Sequence, residues 1–286
     1  MSQEDNSMMA NVLEQKKEKT LEEKEMETLN SWISYALRET MEEQRVRNGI
    51  LKKHIKDDNV VFSKTMYGNH ETFYEDVKKL LRSFKKKDTY YLFTISNPYD
   101  PETDETHFQS FIYIYDTKDT SQHPEGEINI YGIDPSNGYY NDRAIMTVRQ
   151  AITEIAAEKK NSYMMVVELS NACQRDESDV FCQTWSLYLQ LKGIQKLLSG
   201  YVNLDFEIPE DTDTKYNMLV QFYKSNMDVI CAPFKTNFNR LVNTKIIDGL
   251  LDEEEVEPTK QILKKYKKDI CDIIENKWDY KIFHDL

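Results

Sequence analysis

Three residue types that can build a thiol nucleophile occur in the order His107, Asp134, Cys182. A free thiol has a pKa near about 8.5 and attacks only as the thiolate, so a nucleophilic cysteine needs surroundings that favour the anion at neutral pH. A helix N-terminus, with its partial positive charge and unpaired N–H groups, is one such surrounding, and a nearby imidazolium is another. A carboxylate bonded to the imidazole would hold it in one orientation and tautomer, so that it carries a proton from the thiol to a leaving amine. The backbone N–H of Cys182, with an amide side chain from the loop before it, could stabilise an oxyanion.

Each residue also has a plainer use. A cysteine heading an apolar helix is commonly an inert core residue, and a histidine can serve only as a hydrogen-bonded group at a sheet edge. Asp134 before Pro135-Ser136-Asn137-Gly138 is good turn chemistry by itself. The chemical reading gains on these because the three residues fall at complementary positions of the elements the sequence predicts. Thr89 to Ser96 is aromatic and β-branched and ends at Asn97-Pro98, a strand and a turn. His107 opens the next predicted strand, which runs to Asp116, and Asp134 closes the one after it, Glu127 to Ile133. The two strands read as a long hairpin, which sets the start of one beside the end of the other. His123, in the polar loop between them, is a less well placed base.

Past the Asp-Pro-Ser-Asn-Gly turn, Ile145, Val148, Ile152 and Ile155 mark a helix. Ser162 to Leu169 is an uninterrupted apolar run expected to be a strand at the centre of the sheet. After a polar loop, Cys182 begins a helix apolar nearly all round, with Trp185, Leu187, Leu189, Leu191, Ile194 and Leu197, which belongs in the interior. Trp185 reads as core and Cys173 as structural.

Upstream, Met26, Leu29, Ile33, Leu37 and Met41 recur at spacings of three and four, predicting one amphipathic helix with a frayed start between Asn11 and about Gly49. Phe73, Val77, Leu80, Leu81 and Phe84 predict another, whose Lys78, Lys79, Arg82 and Lys85 read as a solvated face. Beyond Gly200 the pattern is helical: Tyr216 to Met227, Phe234 to Leu250 and Thr259 to Ile274, with Asp252 to Glu255 in a loop. This organisation divides the chain into a helical N-terminal extension (1–58), a core (59–200) and a helical C-terminal extension (201–286).

The stretch HFQSFIYIYD, EINIYGIDPSNG and FCQTWSLYL resembles the catalytic core of the ubiquitin-like-protein (SUMO-specific) protease family, a clan that includes the adenovirus protease. The order of strand, His-aromatic pair, strand ending in Asp, turn, helix, strand, loop and Cys-headed helix is reproduced from about Thr89 to Leu198. The resemblance implies an α+β fold with a papain-like or adenain-like core, a mixed central sheet with the cysteine at the N-terminus of a buried helix. It makes His107 the general base, Asp134 its orienting acid and Cys182 the nucleophile. Cys182-Gln183-Thr184-Trp185-Ser186 also resembles the variant in protease-like proteins of large cytoplasmic DNA viruses. The family usually has Gly after the nucleophile and Gln about six positions before it; here position 183 is Gln and position 176 is Asp, which leaves Gln174 as the oxyanion donor. Phe108 stands where Trp is commoner.

The resemblance implies hydrolysis of a peptide or isopeptide bond after small residues such as Gly-Gly, in a ubiquitin-like modifier or a viral structural precursor, with no cofactor. Two other readings stand beside it. One is a degenerate protease fold serving as a scaffold or virion protein, motivated by the altered Gly and Gln positions. The other is a YopJ-type acyltransferase, which would need basic residues near the site for an acyl-CoA.

Composition agrees with a folded chain of one or two domains. The 286 residues are 40% hydrophobic and 12% aromatic, which supplies a sizeable core. The net charge of −13, from 37 Lys and Arg against 50 Asp and Glu, argues against nucleic acid as a partner. No apolar run approaches a membrane span and no secretory signal opens the sequence, so a soluble intracellular protein is expected. Cys173, Cys182, Cys231 and Cys271 form no disulfide-scaffold or C-x-x-C spacing and are expected to be reduced thiols, and the scattered histidines give no local support to a zinc site.

Overall fold

The structure is a computed structural model that describes residues 20–68, 71–98, 106–117, 126–136, 143–158, 163–170, 173 and 181–278. It is an α+β protein. In chain order the elements are α1 (Leu21–Glu42), α2 (Gln44–His54), β1 (Val60–Tyr67), α3 (Phe73–Ser83), β2 (Tyr90–Pro98), β3 (Thr106–Asp116), β4 (Glu127–Asp134), α4 (Arg143–Glu158), β5 (Tyr163–Ser170), α5 (Cys182–Leu198), α6 (Thr212–Ser225), α7 (Met227–Asn243), a short 3-10 turn (Ile247–Gly249), α8 (Glu253–Tyr266) and α9 (Ile270–Asn276).

The five strands lie in the order β1-β2-β3-β4-β5. β2, β3 and β4 run antiparallel to their neighbours in that group, while β1 is parallel to β2 and β5 parallel to β4. Parallel neighbours need crossover connections, and α3 and α4 supply them. Both pack on one sheet face with Phe93, Ile95, Phe111, Ile128 and Ile130, and Arg82 reaches Glu158 at 2.5 Å while Lys78 pairs with Glu154. Part of the basic stripe of α3 is thus a helix–helix contact. β5 ends the sheet among the described residues, so the expectation that it is central is corrected. An apolar run reports covered faces; it carries no information on lateral neighbours.

The opposite face carries α5. Gln190 of α5 donates to the backbone carbonyls of Phe93 (2.9 Å) and Phe111 (3.0 Å), fixing the helix across β2 and β3. Around α5 one hydrophobic core draws together residues of α1, α2, α5, α6, α7, α8 and α9. The predicted stripe is its centre: Leu29, Ile33, Leu37 and Met41 are fully buried. The single N-terminal helix expected from that stripe is two, because Glu43 is extended (φ −64°, ψ 122°) and redirects the chain. Thr20 starts α1 with a capping box to Glu23. The expected frayed start of that helix lies outside the described residues. Downstream, Glu253 to Glu255 form the first turn of α8 rather than a loop, where carboxylates suit the positive end of the helix.

Periodicity does not find β1, whose burial follows no alternation. Its outer edge is held at an irregularity between Phe62 and Thr65, where the Gln44 amide donates to the Ser63 carbonyl (2.5 Å) and accepts from the Thr65 N–H.

Cys231 and Cys271 form a disulfide between α7 and α9, so the expectation of four reduced thiols is corrected for these two. The pairing arises from helices that meet only in the folded chain, and spacing in the sequence does not report it. The bridge spans 40 residues. Replacing both cysteines by alanine is expected to lower stability to urea unfolding by up to about 4 kcal/mol, the closure entropy of a loop of that length.

Candidate active site

The β3–β4 hairpin sets Asp134 level with Gln109, and His107, two residues along the same face of β3, reaches the carboxylate diagonally. His107 Nε2 lies 2.8 Å from Asp134 Oδ1. Asp134 also accepts from the Ser136 backbone N–H (2.8 Å) and hydroxyl (2.7 Å) at Oδ1 and from the Gln109 amide (2.6 Å) at Oδ2. The Asp-Pro-Ser turn therefore does two jobs: it ends the strand, and it locks the carboxylate.

Cys182 is the first residue of α5. Phe181 before it offers no side-chain cap; its carbonyl takes the Thr184 and Trp185 N–H groups at 2.9 Å each, and the N–H groups of Cys182 and Gln183 head the helix without a cap from it. The thiol donates to the Thr106 carbonyl at 3.5 Å, at the entry of β3 and beside His107. With imidazole Nε2 committed to Asp134, Nδ1 is the nitrogen left for the sulfur. Burial opposes protonation of His107, but its bonds to Asp134 and Cys182 outweigh it and hold the imidazole up at about 9. Burial likewise opposes ionisation of Asp134, and the contacts with His107 and Ser136 bring its carboxyl below the usual range. Cys182, His107 and Asp134 are only 5%, 5% and 2% exposed, a closed site in which these charges are little screened.

This coupling gives stability a pH dependence. The contribution of His107 is complete below its ordinary value of about 6.5 and is lost as pH rises through about 9. That of Asp134 has the opposite sense, present above about 3.8 and lost as acid protonates the carboxylate. Urea unfolding at pH 6 and pH 9.5 is expected to show lower stability at the higher pH, with the difference reduced in His107→Gln.

One site residue escapes sequence reasoning. Arg47 of α2 is 2% exposed and lies beneath the first turn of α5. Its guanidinium donates to the carbonyls of Gln183 (2.6 Å) and Met41 (3.4 Å) and to the hydroxyls of Thr94 (3.2 Å), Ser186 (3.3 Å) and Ser110 (3.5 Å), and it stands 5.6 Å from the Phe108 ring. Burial pushes its pKa down to about 10, against the attraction of Cys182, Glu42 and Tyr67. The signal was its spacing, three and four residues before the buried Ile50 and Leu51. Arg47→Ala is expected to cost about 3 kcal/mol in denaturant unfolding, because it opens a cavity and strands buried acceptors.

Gln183, where the resembled family has Gly, is 2% exposed, and its side chain bonds to Glu42. Trp185 is fully buried, as expected of core. Cys173 is buried as well, and its N–H donates to the Pro135 carbonyl at 3.0 Å, tying the approach to α5 to the turn beside Asp134. Gln174 and His123 lie outside the described residues. A cavity of about 450 Å³ lined by Tyr188, Lys192, Lys196, Tyr201 and Phe206 sits toward the other end of α5. At about 1.5 Å per residue, Lys196 is roughly 20 Å along the helix axis from Cys182. Among the described residues no cluster of His, Cys, Asp and Glu could hold a metal ion, and no helix is long and apolar enough to cross a membrane.

No family model matches this sequence, and no curated protein does. Among solved structures the chain is similar to the central domain of the uncharacterized Lpg1148 protein from Legionella pneumophila, at 8% identity and a TM-score of 0.33 over 66% of this chain and 94% of that one. It is also similar to the L. pneumophila effector protein RavZ, at 11% identity and a TM-score of 0.39 over 74% of this chain and 66% of that one. A structure of RavZ in complex with human LC3B matches at 9% identity and a TM-score of 0.38, over 73% of this chain and 64% of that one. The chain thus spans about two thirds of the RavZ structures it matches.

Proposed function

We propose that this protein is a cysteine protease with a papain-like or adenain-like core, in which Cys182 is the nucleophile, His107 the base and Asp134 its orienting acid. The observation that carries the reading is the relay itself: a carboxylate with four hydrogen bonds, an imidazole 2.8 Å from it, and a thiol at an uncapped helix start beside that imidazole. A structural histidine needs one acceptor; it does not need a thiol at its other nitrogen.

In the reaction the Cys182 sulfur adds to the scissile carbonyl carbon, with its proton held on His107. The first-turn N–H groups of α5, with Gln174 as the candidate side-chain donor, face the oxyanion. The C–N bond breaks as His107 gives its proton to the amine, leaving a thioester on Cys182. A water then loses its proton to His107 and adds to the thioester; the acid leaves and the thiol is restored. The substrate class suggested by the resemblance is a peptide or isopeptide bond after small residues such as Gly-Gly, in a ubiquitin-like modifier or a viral precursor.

A second reading, a protease-fold scaffold, is favoured by the 5% exposure of Cys182. The two separate on treatment with vinyl sulfones of several Gly-Gly-ending ubiquitin-like proteins. Adduct mass on the peptide containing Cys182 is expected for the protease; intact unlabelled protein with every probe favours the scaffold.

A further inference from the structure

Asn97 lies directly opposite His107 in the β2–β3 register. Opposed residues of antiparallel strands share a sheet face with Cα atoms about 4.5–5.5 Å apart, so Asn97 and His107 are lateral neighbours on one face. It is 4% exposed, and neither its amide nitrogen nor its amide oxygen has a hydrogen-bond partner. On the same face, Gln109 uses its nitrogen on Asp134 while its buried Oε1 has no partner. On the sheet face that carries the base there is thus a donor set and two acceptors, desolvated and unused, with Asn97 Oδ1 lying over Gly68 on the β1 side. Buried amides without partners are costly and rare, and where they persist a ligand or bound water accounts for them. The position is also built: Gly68 donates its N–H to the Ser96 carbonyl (2.7 Å), and a Cβ on residue 68 would stand 1.9 Å from Asn97 Oδ1. Glycine at that point is what lets the amide sit where it does.

Resting on the protease reading, we infer that Asn97 and Gln109 form a subsite for the peptide backbone of the substrate beside the scissile bond. An extended peptide unit presents one N–H and one C=O, and the Asn97 amide offers the reciprocal acceptor and donor; Gln109 Oε1 receives a further N–H. A subsite that reads backbone alone suits Gly-rich segments, which have no side chains to hold. Cys182 is as closed as Asn97, so a substrate must open both positions to engage them. Asn97 is a positioning residue in this scheme: it aligns the acyl group and takes no part in proton transfer.

The test compares two reagents on the wild-type chain, Asn97→Ala and Gly68→Ala. Iodoacetamide reads the thiol and its base alone; acetyl-Ala-Ala-Gly-Gly vinyl sulfone also needs its backbone held. Both substitutions are expected to slow the peptide probe at least about tenfold, the loss of one or two hydrogen bonds, while iodoacetamide labelling of Cys182 stays within twofold. Asn97→Ala is expected to melt no lower than wild type, since it removes unpaired polar atoms. Equal slowing with both reagents would mean that Asn97 only steadies His107. Unchanged peptide labelling, or a fall in melting temperature with both rates unchanged, would mean that the amide binds structural water; each result overturns the subsite alone. A wild-type chain that takes iodoacetamide at Cys182 but never the vinyl sulfone overturns the protease reading and the subsite together.

Discussion

Cys182→Ala is expected to abolish covalent capture of the Gly-Gly vinyl sulfones and to lower turnover of any substrate they identify by at least about 10⁴-fold. The loss is this large because no other described thiol can substitute. Cys173 is buried and its backbone is engaged with the Asp134 turn, while Cys231 and Cys271 are joined to each other. The fold should persist, since the substitution removes one sulfur whose partners are the Thr106 carbonyl and the His107 ring. Intact mass with each probe, beside the far-UV spectrum, checks both parts. A Cys182→Ala chain that still cleaves substrate would remove the nucleophile assigned here.

Asp134→Asn is the second large effect, a fall of about 10³-fold in the rate of labelling. The substitution keeps an oxygen for His107 and Ser136, and the amide it introduces can donate to Gln109 once that side chain turns over to present Oε1, which has no partner. Geometry is thus retained and charge is lost. The imidazolium loses the carboxylate that supports it, so the value near 9 should fall and the pH dependence of labelling should move with it. Titration of labelling rate from pH 5 to pH 10 in the two proteins measures this; superimposable profiles would show that Asp134 is a turn former only.

Much of the site could be read in the linear chain because its parts obey local rules. Alternation and aromatic content mark β2, β3 and β4. A dense turn follows Asp134, and an all-round apolar pattern marks the helix that Cys182 heads. Once two strands are known to form a hairpin, antiparallel pairing brings the start of one near the end of the other; the register sets Asp134 level with Gln109, and His107, two residues along the same face, reaches it diagonally. The apolar stripe of α1 was legible for the same reason: helical period puts Leu29, Ile33, Leu37 and Met41 on one side.

Other features had no local signature. The place of β5 at the end of the sheet, the bridge between Cys231 and Cys271, the entry of Arg47 beneath α5 and the unpaired amide of Asn97 all depend on which elements become neighbours. Periodicity reports which side of an element is buried but never against what. The sequence by itself determined the candidate nucleophile, base and acid and the elements that bear them, because propensity, period and hairpin register act over a few residues or one turn. Tertiary structure alone decided the buried cation and the unpaired amide around them, because desolvation and hydrogen-bond satisfaction are properties of the assembled interior.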